Sequence, residues 1–179
     1  MKKSQIFMSI FIAVIMISSV IGFMYSPQQE DNPDAIAFNG VSFLPSQNNN
    51  WVAVINNNQL VFDYLPSELS GINSPLLYSL SQSKLYILYN PASKDQAYIM
   101  EKLYYNLNSL GKTAAPACLT EEDCPDIPIK SCKDNAILLK DSKNNQVYNE
   151  ENCIVIEGDS LYQNQAADKI IQGLIGIKN

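Results

Sequence analysis

The sequence predicts an α+β domain carried behind one N-terminal transmembrane helix, and three observations predict it. An uncharged apolar run fills Ile6 to Tyr25, long enough to cross a bilayer. Two Asn-centred turns separate strand-like segments between residues 36 and 64. Two stripes of helical period follow, one after Ser93 and one after Ser160. The expected division is residues 1–25 as a transmembrane signal-anchor, 26–35 as a polar stalk, and 36–179 as an extracytoplasmic domain. In that domain a mainly antiparallel sheet carries two amphipathic helices on one face.

The anchor comes first. At 1.5 Å per residue, roughly 20 apolar residues span about 30 Å, the thickness of a hydrocarbon core. Lys2 and Lys3 precede the run, while Glu30, Asp31 and Asp34 follow it. That asymmetry puts the N-terminus in the cytoplasm and the domain outside. The run ends Ile21-Gly22-Phe23-Met24-Tyr25-Ser26, which lacks the small residues of a leader cleavage site, and no Cys follows closely enough for lipidation. A cleaved, secreted form of the same domain is the alternative. Ser9 with Ala13, and Ser18 with Gly22, are small residues four apart. They permit weak homodimerisation through the anchor, although ordinary spans carry such pairs too.

After the stalk S-P-Q-Q-E-D-N-P, Asn39-Gly40 between Ile36–Phe38 and Val41–Leu44 predicts a hairpin. A second hairpin is predicted from Trp51–Ile55, the turn Asn56–Asn58, and Gln59–Tyr64; Pro66 ends it, and Ser67–Leu69 forms a helical turn. Leu85–Tyr89 reads as a buried strand. Ser93 caps the helix that follows, with Gln96 completing a capping box. Ile99, Leu103, Leu107 and Leu110 make its buried stripe, Glu101 and Lys102 face solvent, and Gly111 stops it. The chain then returns through Ala114–Cys118 as a crossover unit. Ala136–Lys140 and Val147–Ile156 read as strands joined by a turn at Asp141–Asn144. The last helix runs from about Leu161 to Ile177, with Ser160 as cap and Gln163 at the capping-box position. Its buried stripe is Ala167, Ile170, Ile171, Leu174 and Ile177.

Four cysteines, Cys118, Cys124, Cys132 and Cys153, all lie in the domain. Their spacing gives neither paired zinc knuckles nor a C-x-x-C redox motif, and an even number outside the cytoplasm favours disulfides. Three pairings are possible. If the turn at 141–144 pairs Lys140 with Asn145, the same register sets Cys132 opposite Cys153 and leaves Cys118 for Cys124. Loop-closure entropy makes the larger loop worth about 3.4 kcal/mol and the smaller about 2.4 kcal/mol.

Composition excludes several functions. The chain contains no His, which removes Ser-His-Asp triads, Cys-His dyads, His-ligated metals and pH switching by imidazole. All twelve basic residues are Lys, so no guanidinium fork is present to grip phosphate. The formal charge is −6, and −8 without Lys2 and Lys3, which disfavours nucleic acid. Ser81–Lys84 and Ser109–Lys112 match S-x-x-K, but neither S-D-N nor K-T-G accompanies them. Glu121, Glu122, Asp123 and Asp126 offer hard oxygen ligands without the spacing or central Gly of a calcium loop, so they read as a solvated loop. The ten Tyr and Trp51 supply recognition area in principle, but Tyr64, Tyr86 and Tyr89 read as sheet residues.

The segments C-L-T-E-E-D-C-P-D-I-P-I-K-S-C (118–132), V-Y-N-E-E-N-C-I-V-I-E-G (147–158) and A-A-D-K-I-I-Q-G-L-I-G-I (166–177) together resemble a group of uncharacterised single-pass archaeal membrane proteins. The resemblance covers roughly the last third of the chain. It implies an extracytoplasmic, Cys-containing domain and carries no activity or functional residue with it. The functional expectation is therefore a membrane-anchored, non-enzymatic binding or accessory module with a protein partner, no cofactor, no metal site and no catalytic residue. A carboxylate-dependent extracytoplasmic hydrolase is the competing class.

Overall fold

Two successive hairpins build the first sheet from purely local pairing. Strands β1 (Ile36–Phe38), β2 (Val41–Pro45), β3 (Trp51–Ile55) and β4 (Asn58–Phe62) form an antiparallel meander in that order. The turns work because Asn39 and Gly40, and then Asn56 and Asn57, all hold positive φ, the geometry that matches the twist of paired strands. The second turn is one residue tighter than expected, since Asn58 already pairs with Ile55. The computed structural model describes residues 34–73 and 84–177. The chain divides into two units, 1–33 and 34–179, and the described residues all belong to the second. The expected anchor, nearly all of the stalk, and Ser81 of the first S-x-x-K match lie outside them. Among the described residues no helix is long and apolar enough to cross a membrane.

A 3-10 turn at Pro66–Leu69 closes the meander. The second sheet contains β5 (Lys84–Leu88), β6 (Thr113–Ala117), β7 (Ala136–Asp141), β8 (Gln146–Glu150) and β9 (Cys153–Gly158), in the spatial order β6-β5-β7-β9-β8. Helix α1 (Lys94–Ser109) connects β5 to β6, and α2 (Ser160–Leu174) follows β9. The β5-α1-β6 crossover matches its expectation.

The single, mainly antiparallel sheet expected from the sequence is corrected to two sheets. The second is mixed: β6, β5, β7 and β9 are parallel to one another and only β8 is antiparallel. The segment 147–156 is not one strand. It folds into the β8–β9 hairpin around Glu151, which takes φ 47°, and β9 then pairs in parallel with β7. Central parallel strands are covered on both faces, hence the unbroken apolar runs Ala136–Leu139 and Cys153–Ile156.

Both helices lie against the same face of the mixed sheet. Ile87, Ile137, Leu139, Ile154 and Ile156 share one core with Ile99, Leu103 and Leu107 of α1 and with Ala167, Ile170 and Ile171 of α2. The inner face of the meander, with Phe43, Ala53, Leu60 and Phe62, joins the same cluster. The other face of the mixed sheet has its own small core of Leu88, Ala117, Ala136, Leu138, Cys153 and Val155. Residues 118–135 close over that face: Cys132 packs on the cluster, and the Lys130 ammonium stands 4.7 Å from the Tyr86 ring centre.

Helix ends follow the expected chemistry with two changes. Ser93 Oγ accepts from the Gln96 amide N–H, but the Gln96 side chain turns elsewhere instead of completing the box. Asp159, not Ser160, caps α2 by accepting from the Tyr162 N–H. Gly111 at φ 76° ends α1, and Lys112 N–H reaches back to the Leu107 carbonyl. Lys102, expected in solvent, is buried.

Candidate functional site

Three parallel strands end side by side, and a cleft opens there. Tyr89 and Asn90 leave β5, Cys118 to Thr120 leave β6, and Leu139 to Asp141 end β7; together with the first turn of α1 they enclose a space of about 440 Å³. From β5 the chain turns toward the helical side of the sheet, whereas from β6 it turns to the opposite side with the 118–135 loop. Connections that diverge in this way leave a crevice at the carboxyl ends of the strands, the usual binding position in open α/β sheets.

The floor is ordered by two buried glutamines. Gln96 Oε1 accepts from the Asn90 N–H at 2.7 Å, and its Nε2 donates to Asp141 Oδ1 at 2.7 Å. Gln163 Nε2, from α2, donates to the same Asp141 oxygen at 3.0 Å and to the Gly158 carbonyl at 2.9 Å. Both glutamines are almost fully buried, so Asp141 is held at a fixed position while remaining exposed itself. Gln96 and Gln163 occupy capping-box positions in the sequence, but each spends its amide on Asp141 at the end of β7.

The Cys118–Cys124 disulfide shapes one wall. It joins cysteines six positions apart, and Leu119, Thr120, Glu122 and Asp123 between them line the cleft. Asp123 holds φ 54°, and Leu119 remains 47% exposed at the lip. The second disulfide, Cys132–Cys153, is present as expected, but not through an antiparallel register. Ala136 stands opposite Cys153 in the parallel β7–β9 ladder, and Asn152 N–H donates to the Cys132 carbonyl at 2.9 Å, which brings Cys132 alongside. No cysteine is free. Glu121, Glu122, Asp123 and Asp126 are all exposed, and among the described residues no group of three or more His, Cys, Asp or Glu is placed to hold a metal ion. Ser109 and Lys112 flank the turn that ends α1, so they share no helix face.

A second polar assembly lies between the helices and the meander. On α1, Tyr98, Lys102 and Asn106 recur every four residues; on α2, Asn164, Asp168 and Gln172 do the same. Both stripes grip residues 61–64. Asn106 accepts from the Val61 N–H at 2.9 Å and donates to its carbonyl at 2.7 Å. Asp168 Oδ2 accepts from the N–H groups of Asp63 and Tyr64 at 2.8 and 3.0 Å, and Gln172 Nε2 donates to the Tyr64 carbonyl at 2.9 Å. The Lys102 ammonium is 2.7 Å from both Asp63 Oδ2 and Asp168 Oδ1, and it also donates to Asn164 Oδ1. The Asp168 Oδ1 contact is electrostatic and not an aligned hydrogen bond.

Charge states in this clasp diverge. Burial, reinforced by the Asp63 charge, pushes the Asp168 carboxyl up to about 6 despite Lys102. Burial also opposes ionisation of Asp63, but Lys102, Asn164 and Tyr98 outweigh it and hold that carboxyl below its usual range. The Tyr98 ring is half-exposed while its hydroxyl turns in, donating to Asp63 at 2.9 Å; burial and that hydrogen bond push it up to about 12. Among the described residues, the one carboxyl moved toward an acid–base range is thus sealed beneath a lysine, with no exposed surface.

No family model matches the chain, and neither a curated protein nor a solved structure does.

Proposed function

We propose that this chain is a membrane-anchored, extracytoplasmic, non-enzymatic binding module whose ligand or partner segment enters the cleft at the ends of β5, β6 and β7. One observation carries the reading: the cleft wall is a disulfide-closed loop, so the surface is shaped before anything binds and little ordering entropy remains to be lost. Disulfides also fit an oxidising compartment outside the cytoplasm, in keeping with the charge asymmetry around the apolar run.

The competing reading, a carboxylate-dependent hydrolase, draws on Glu122, Asp123 and Asp141 lining the same cleft. Against it, Glu122 and Asp123 are exposed loop residues, and Asp141 Oδ1 is already occupied by two amide donors, Gln96 and Gln163. A general acid needs burial that raises its proton affinity, and that burial occurs at Asp168, away from solvent.

The test is site-specific photo-crosslinking in intact cells. A crosslinker at position 119 is expected to give one discrete adduct that the same group at position 54, on the meander's outer face, does not. Adducts of equal yield at both positions would remove the cleft from consideration. Hydrolysis of a glycan panel that Asp141→Asn abolishes would convert the reading to an enzyme. Protease added outside intact cells is expected to digest residues 34–177; full protection would refute the topology.

A further inference from the structure

The two disulfides are attached to the fold very differently. Cys153 is fully buried in the small core beneath the mixed sheet, and Cys132 packs against that core. Backbone hydrogen bonds brace the same junction independently: Asn152 N–H to the Cys132 carbonyl, and Ala136 N–H to the Asn152 carbonyl at 3.3 Å. The Asn152 side chain adds a bond to the Lys133 carbonyl at 2.8 Å.

Cys118 is buried where β6 ends, but the Cys118–Cys124 bond belongs to neither core cluster. Its base is secured without the sulfurs, because Cys118 N–H donates to the Pro128 carbonyl at 3.0 Å and Lys130 N–H donates to the Cys118 carbonyl at 2.8 Å. The span it closes is exposed from Leu119 through Asp123, and Cys124 is partly exposed. Within that span the only backbone hydrogen bond among the described residues is a local turn, Cys124 N–H to the Glu121 carbonyl at 3.3 Å. The bond to Cys124 is therefore what holds this wall of the cleft in place.

We propose that the Cys118–Cys124 bond is a redox latch on the cleft: its reduction releases the 119–123 wall while the rest of the domain stays folded. The chemistry needs a dithiol reductant. One thiolate of the dithiol attacks the sulfur of Cys124, the S–S bond breaks, and Cys118 departs as a thiolate that takes up a proton. The second thiol then attacks the mixed disulfide, releasing Cys124 as a thiol and leaving the reductant as its own disulfide. Two electrons pass from the dithiol to the protein, and reoxidation reverses the sequence. The inference takes its purpose from the cleft's proposed role in binding. Its test uses no ligand, so it stands or falls separately from that role.

The experiment treats the full-length protein in detergent micelles with limiting dithiothreitol, followed by alkylation, peptide mass mapping and brief exposure to a glutamyl endoprotease. Cys118 and Cys124 are expected to label first, with Cys132 and Cys153 still joined. Cleavage after Glu121 or Glu122 is expected to accelerate at least tenfold on that partial reduction. The double variant Cys118→Ala with Cys124→Ala should show the same fast cleavage without reductant while still unfolding in one cooperative transition. Equal or prior reduction of Cys132–Cys153, an unchanged cleavage rate, or loss of cooperative unfolding in the double variant would each overturn the latch.

Discussion

The meander and the 118–135 loop are both added onto the same central body, yet they are fastened by opposite means. The meander is fastened without covalent links. Its backbone between Val61 and Tyr64 is gripped by side chains from two helices, and a buried lysine joins Asp63 to Asp168. The loop is fastened over a small apolar cluster by Cys132–Cys153, and Cys118–Cys124 closes its exposed span. The difference teaches where each attachment is vulnerable. Charge and pH act on the buried clasp that holds the meander, whereas redox state acts on the loop's disulfides and leaves that clasp untouched.

The largest expected break comes from the clasp. Lys102→Met leaves the buried Asp168 and the partly buried Asp63 without their cation, and chemical denaturation should show a loss of about 4 kcal/mol, since removing one partner of a buried ion pair strands the other. On the loop side, Cys132→Ala with Cys153→Ala should lower unfolding free energy by about 3 kcal/mol, set by the larger of the two closed loops. A smaller loss, about 2 kcal/mol, is expected for Asn106→Ala, which leaves both the N–H and the carbonyl of Val61 unpaired. Hydrogen exchange would place that loss at β4 and leave β7–β9 unaffected.

The finest readout is a slope with pH. Asp168 has a higher proton affinity in the folded chain than in the unfolded one, so it binds its proton preferentially when folded. Its contribution favours folding at acidic pH and is lost as pH rises through about 6. Between pH 4 and pH 7, wild type should therefore lose stability relative to Asp168→Asn. Asp63 acts with the opposite sign and in a different window: its stabilisation is present above pH 3.8 and disappears below, as its lowered folded value is passed. A stability difference between wild type and Asp168→Asn that stays flat from pH 4 to pH 7 would remove the charged clasp from the comparison.

The two regions also differ in how far the sequence revealed them. Hairpins β1–β2 and β3–β4 were legible because Asn39-Gly40 and Asn56-Asn57 are local signals that need nothing from the rest of the chain. Parallel pairing has no local signal. The clue to it was the unbroken apolar runs at Ala136–Leu139 and Cys153–Ile156, which exceed what a one-sided antiparallel strand needs. Apolar spacing alone defines the buried face of α1 in the sequence, and Lys102 falls outside that stripe. The second pattern, Tyr98-Lys102-Asn106 against Asn164-Asp168-Gln172, is polar at the same helical spacing and gains meaning only when both helices and the Asp63 corner are assembled. Of the cleft, only the Cys118–Cys124 pairing was anticipated. Its other walls come from three strands far apart in sequence, and Gln96 and Gln163 carried a nearer explanation as capping residues.

The order of the strands has a further consequence, for the sequence of events as the chain is made. The meander closes only neighbouring residues, and hairpins of that kind zip within microseconds of becoming available. The mixed sheet cannot complete itself until β9 arrives beside β7, and Asp168 and Gln172 cannot meet the Asp63 corner until α2 follows. A four-stranded ribbon with an apolar inner face therefore meets α1 first, through Asn106 and Lys102, and α2 only after about a hundred residues of further synthesis. Two polar combs with matching teeth suit that interval: a ribbon already formed is seated at one position along the helices and is rejected at every other.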